Sequence, residues 1–149
     1  MSTAFDRAWT VAVAAGLAAI IAQTVAPAAI AHADGVFQSP SGNIACMVTS
    51  VGRGRAVCEI SGHSYASPPR PSDCHLAGWG DHILMEHGSA PVWMCHGDAL
   101  LADGQPTLQY GETGLGGTIA CGSEVDGVTC TDTSTGHFFT VSREAYQFG

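Results

Sequence analysis

Ile44-Ala45-Cys46-Met47-Val48-Thr49-Ser50-Val51-Gly52-Arg53-Gly54-Arg55-Ala56-Val57-Cys58-Glu59-Ile60 is the stretch that decides the fold. Alternate residues of a strand share one side of a sheet. If Cys46 faces Cys58 across a hairpin, Ile44 therefore stands opposite Ile60 and Val48 opposite Ala56. Those six residues form one apolar face, and Val51, Gly52 and Arg53 make the turn. The alternation and the cysteine positions agree on a Cys46–Cys58 bridge between neighbouring strands.

The same frame returns near the C-terminus. Gly117-Thr118-Ile119-Ala120-Cys121 matches Gly42-Asn43-Ile44-Ala45-Cys46, and Val128-Thr129-Cys130 answers Val57-Cys58. A Cys121–Cys130 bridge follows by the same logic. Direct opposition of these cysteines puts Val125-Asp126 at the tip, whereas Asp126-Gly127 favours the tip for itself, so the register is open and a bulge is one way to reconcile them. Duplication and chance both account for two such short matches. Elimination leaves Cys74 with Cys95, a bridge spanning Ile83-Leu84-Met85 and Val92-Trp93-Met94, which His87-Gly88-Ser89-Ala90 joins as a third hairpin. Phe138 to Val141 reads as a last strand, and Arg143 to Phe148 as a short helix or an extension of that strand. Residues 97 to 116 read as loop with a strand near Leu108-Gln109-Tyr110. Ser61 to Asp73 is irregular, because Pro68-Pro69-Arg70-Pro71 favours an extended conformation and lacks strand donors. The fold class is all-β: a small disulfide-stapled domain of short antiparallel hairpins, as a sandwich or open barrel.

An even set of six cysteines in a short chain fits an oxidising compartment, and the N-terminus agrees. Arg7 is followed by an apolar run from Ala8 to Ala22, broken only by Thr10. Pro27 then ends any helix, and Ala31-His32-Ala33 supplies a small-x-small site, which predicts cleavage between Ala33 and Asp34. Residues 1–33 are thus expected to be a signal peptide and 34–149 a single secreted domain. No cysteine lies near the cut to take a lipid, so no stable membrane insertion is expected after cleavage. The formal net charge is −8, and the chain has no lysine. That balance lacks the basic footprint that phosphate backbones require, which excludes nucleic acid as a partner class.

Taken in order, the motifs resemble a family of small exported actinobacterial domains of unknown function. The resemblance is carried by Phe37 to Cys46, Val57-Cys58-Glu59-Ile60, Pro68-Pro69-Arg70-Pro71, Cys95-His96-Gly97-Asp98 and Tyr110-Gly111. Gly127-Val128-Thr129-Cys130, Thr135-Gly136-His137-Phe138-Phe139, Ser142-Arg143 and Tyr146 complete it. The family pattern favours Gly where Phe138 stands. The resemblance implies export and a disulfide-bonded β domain, and it implies no reaction.

Three kinds of chemistry remain to be weighed. A hydrolase would recruit His137 as base, Ser142 or Ser123 as nucleophile and Asp132 as orienter, but no nucleophile-elbow sequence is present. Glu59, Asp81, Glu86 and Asp98 have no context that marks a glycosidase pair. A metal site would draw on His75 and His96, brought together by a Cys74–Cys95 bridge. His82, His87, Met85 and Met94 lie nearby, with thioethers suiting copper and Glu86 suiting zinc. Oxidised cysteines are not thiolate ligands, so no metal, cofactor or catalytic residue is assigned from sequence. Among the aromatics, Trp93 reads as core, while Trp79, between Gly78 and Gly80, is the candidate ligand-binding residue. The sequence reading is a monomeric binding module for an extracellular or envelope ligand.

Overall fold

The computed structural model describes residues 31–149; of the leader expected over 1–33, residues 1–30 lie outside the described residues. Two sheets face one another. The first has five antiparallel strands in sequential order: β2 (Gly35–Gln38), β3 (Ile44–Thr49), β4 (Arg55–Ile60), β5 (His82–Glu86) and β6 (Val92–Trp93). The second begins with β1 (Ala31–Ala33) and continues through β7 (Thr113–Gly116), β8 (Ile119–Glu124), β9 (Gly127–Asp132), β10 (Phe138–Val141) and β11 (Tyr146–Phe148). Its pairing is antiparallel except for β1 on β7. This is the all-β sandwich that the alternation predicts.

The deciding hairpin has the expected register, with Ile44 opposite Ile60, Cys46 opposite Cys58 and Val48 opposite Ala56. Val51–Arg53 is a 3₁₀ turn between β3 and β4. Cys121 faces Cys130, and Glu124 pairs with Gly127, so Val125-Asp126 forms the tip without a bulge. All three disulfides form as read: Cys46–Cys58, Cys74–Cys95 and Cys121–Cys130. Two of them meet in the middle of the sandwich, where Cys58 Sγ lies 3.7 Å from Cys130 Sγ. Ile60, Ile83 and Met85 on one sheet, and Ile119, Val128, Phe139 and Val141 on the other, bury their side chains around this sulfur pair.

The matching hairpins also touch at their ends. Thr118 N donates to Arg53 O at 2.8 Å, and a Cβ on Gly117 would collide with Arg53 carbonyl backbone. Two expectations change. Thr113–Gly116 is a strand rather than loop: its glycines look like turn punctuation, yet Gly114 packs under the Phe37 ring and Gly116 against Thr49 backbone, where a side chain has no room. Leu108-Gln109-Tyr110 forms no strand; Thr107 makes an isolated bridge to Gln38, and Leu108 drops into the core. Arg143 to Phe148 resolves into a turn at Ser142–Ala145 and β11, a strand antiparallel to β10.

Residues 94–101 cross the outer face of the five-stranded sheet. Glu59, whose side chain projects there, accepts backbone N–H groups of Leu100 and Leu101 on Oε2. A carboxylate buried on two amides is a charge-assisted anchor, and it fixes the loop over β4 and β5.

Candidate functional site

Three places gather side chains with chemical potential. The first lies under the 94–101 loop. His82 begins β5 on the outer face, directly opposite Glu59 in the ladder. The Cys74–Cys95 bridge and the backbone pairing of Gly78 with His96 bring His96 onto it. The two imidazoles stack, centroids 3.4 Å apart and 22° between planes, with the other side of the His96 ring against Gly78. Asp81 Oδ1 stands 2.7 Å from His96 Nε2 and 3.6 Å from His82 Nδ1. Burial, and next the neighbouring His96, push the His82 imidazole below its usual range, against the pull of Glu59 and Asp81. Met47, Met94, Arg55 and Leu100 help line the adjoining pocket of about 300 Å³.

This assembly differs from the histidine set expected from sequence. His75 is exposed and outside the group of Asp81, His82 and His96, although the bridge beside it forms. Met85 faces the core. His87 turns to Thr118 and Ser134, and lies 3.6 Å from Asp132. The partnership of His82 with His96 spans two segments with no shared sequence motif. Its sequence signals are separate ones: His82 at an outward position of an alternating apolar strand, and His96 next to the bridged Cys95.

The second place is the open side where β6 and β11 end their sheets. Trp93 and Phe148 close over the core, and Tyr146 packs edge-on against Trp93 at 4.8 Å and against Tyr65 at 5.0 Å. His63 stacks on Tyr65 at 4.0 Å. Burial, with smaller contributions from Tyr146 and Asp81, pushes the Tyr65 hydroxyl up to about 12. Tyr146 remains 36% exposed. Trp93, read as core from sequence, is therefore half-buried at a rim.

Trp79 lies next to this rim. It is half-buried, and its indole Nε1 donates to Pro68 O at 2.9 Å, tying the proline segment down. Arg70 fastens the other side of that loop through the carbonyls of Cys74, Leu76 and Ala77. Trp79 and Trp93 line one pocket of about 220 Å³ with Pro71, Asp73 and the Cys74–Cys95 bridge.

The third place is the group considered for hydrolysis, and the fold separates it. His137 and Ser142 flank opposite ends of β10. Ser142 Oγ is used within its own turn, accepting from Glu144 N and Ala145 N, and Ser123 is sealed in the core. Asp132 is fully buried and accepts from Gly88 N at 2.7 Å, Ser134 N at 2.9 Å and Ser134 Oγ at 2.7 Å. Burial by itself would raise this carboxyl; the hydrogen bonds from Gly88 and Ser134 outweigh it and hold the group well below the usual carboxylate range. Asp132 is a latch between the sheets, tying the β9–β10 turn to the β5–β6 turn.

A family model described as "Family of unknown function (DUF6636)" matches residues 16–148. The chain belongs to this family. No curated protein and no solved structure matches it. Membership of DUF6636 agrees with the resemblance to an uncharacterised domain family and brings no reaction with it. Three disulfides and an all-β sandwich fit an oxidising environment.

Proposed function

We propose that this DUF6636 protein is an exported, non-catalytic binding module that works as a monomer and holds a neutral extracellular or envelope glycan on its aromatic rim. The observation that carries the reading is the continuity of Trp79, Trp93, Tyr146 and Tyr65 along one side of a rigid, disulfide-braced frame. The exposed part of Tyr146 and the half-buried Trp79 and Trp93 offer apolar area to sugar C–H surfaces, while Asp73 and the half-buried His63 supply polar contacts at the edge. A net charge of −8 disfavours anionic polymers by long-range repulsion, so among glycans the neutral ones fit. Export rests on the leader pattern and the oxidised cysteines.

The test is an array of neutral oligosaccharides, followed by titration of tryptophan fluorescence with the strongest binder. Tyr146→Ala and Trp79→Ala are expected to weaken binding about tenfold each, the loss of a contact of ~1.4 kcal/mol. Trp79→Phe separates the ring from the indole hydrogen bond to Pro68 and retains most of the affinity. No binder on the array, or a binder indifferent to both alanine variants, refutes the proposal.

A further inference from the structure

The geometry points to a binding site for a borderline divalent cation, of which zinc is the type, formed by Asp81 Oδ1, His82 Nδ1 and His96 Nε2. One ligand atom from each residue lies within 4.8 Å of the others. His96 Nδ1 is 3.0 Å from Asp98 O, a pure acceptor, so it carries a proton and donates it. A neutral His96 then turns the bare lone pair of Nε2 toward Asp81 Oδ1, 2.7 Å away. On His82, Nε2 lies 3.6 Å from Glu59 Oε2, beyond hydrogen-bond length, while Nδ1 is buried without a hydrogen-bond partner on the side of Asp81.

Two ring nitrogens, His96 Nε2 and His82 Nδ1, thus converge on the single oxygen Asp81 Oδ1, and His82 Nδ1 is buried there with no hydrogen-bond partner. The rings stack with centroids 3.4 Å apart and His82 is 2% exposed, so bulk water does not reach its orphaned nitrogen. A single cation near Asp81 Oδ1 satisfies both bare nitrogens and the carboxylate together. Glu59 and the Asp98 carbonyl then act as outer partners that fix each tautomer, the usual arrangement behind metal-bound histidine. Two imidazoles and a carboxylate are a donor set suited to zinc, with a water in the fourth position.

Bonds of about 2.0–2.1 Å at a tetrahedral centre set neighbouring ligand atoms roughly 3.3 Å apart. The pair at 3.6 Å is close to that value, and the pair at 2.7 Å reaches it when Asp81 draws back, its side chain being 34% exposed. The rings also open from their 22° stack. Entry is from the Asp81 side, because Glu59 and the 94–101 loop close the other.

Isothermal titration of zinc chloride into the disulfide-intact protein tests this. The expected result is one ion per chain with micromolar or tighter affinity, and movement of the ¹⁵N resonances of both His82 and His96. His96→Gln and Asp81→Asn, at positions solvent reaches, are expected to weaken binding by about 100-fold or more. Glu59→Gln weakens it by roughly 10–100-fold, as loss of an outer partner does. His75→Gln, outside the group, leaves it unchanged. No saturable binding overturns the site, as does binding that His75→Gln or His137→Gln weakens as much as His96→Gln. Weak binding that leaves the His82 and His96 resonances unmoved also overturns it. None of these results depends on the glycan titration, so the two proposals fail separately.

Discussion

Replacing Asp132 by Asn probes the latch between the sheets. The carboxylate accepts three hydrogen bonds, at 2.7 Å from Gly88 N, 2.9 Å from Ser134 N and 2.7 Å from Ser134 Oγ. An Asn side chain keeps one acceptor oxygen, which can serve Ser134. Its amide nitrogen then faces the Gly88 N–H, donor against donor, in a place with no solvent exposure. An unmet buried donor costs about 1–3 kcal/mol, and the two bonds that remain lose their charge assistance. The sum is about 3 kcal/mol at neutral pH, or a fall in Tm of roughly 12 °C for a domain of this size.

The pH dependence supplies a second, independent reading. The folded carboxyl sits below its unfolded value, so the unfolded chain binds the proton more readily. Its contribution is complete above the unfolded value near about 3.9 and is lost as pH falls from there through the folded one. Asn does not titrate. The stability gap between wild type and Asp132→Asn, measured by guanidinium unfolding with disulfides intact, is therefore widest at pH 7 and narrows below about pH 4. A gap under ~1 kcal/mol at pH 7, or one that stays constant down to pH 2.5, refutes the reasoning.

Other consequences follow from the same packing. Removing the Cys121–Cys130 bridge with paired alanines opens a loop with sequence separation 9, worth about 2.7 kcal/mol of chain entropy. Loss of the Cys74–Cys95 bridge, separation 21, is expected to cost slightly more, about 3.4 kcal/mol, with denaturant midpoints as the check in both cases. Gly78→Ala places a methyl group inside the His96 ring, so stability is expected to fall by roughly 1–3 kcal/mol and the His82–His96 stack to break, visible in the histidine NMR resonances.

The hairpins were legible because a period of two and a cysteine pair constrain the same register. At β3–β4 every paired residue agrees with the sequence reading. At β8–β9 the Asp126-Gly127 preference misleads. Gly127 sits at φ +147° and meets Val141 O, so its missing side chain serves close approach to β10 rather than the turn. The glycines of β7 mislead for a related reason: tight contact between layers and turn propensity call for the same residue. His82 and His96 were both among the sequence's metal candidates, but their union with Asp81 depends on a disulfide, a one-residue bridge and a loop anchored by Glu59. No local spacing encodes those together. Trp79 was correctly placed in a loop, but its hydrogen bond to Pro68 and its pocket shared with Trp93 exist only in three dimensions.

The central claim is that the aromatic rim is the ligand face, and mapping by ¹H–¹⁵N correlation NMR addresses it most directly. Titrating the neutral oligosaccharide selected on the array into the labelled protein is predicted to move the indole resonances of Trp79 and Trp93 and the amides of Tyr65 and Tyr146. Shifts confined to another surface, such as the pocket of about 210 Å³ between Ser41, Tyr110 and Arg143, would contradict it.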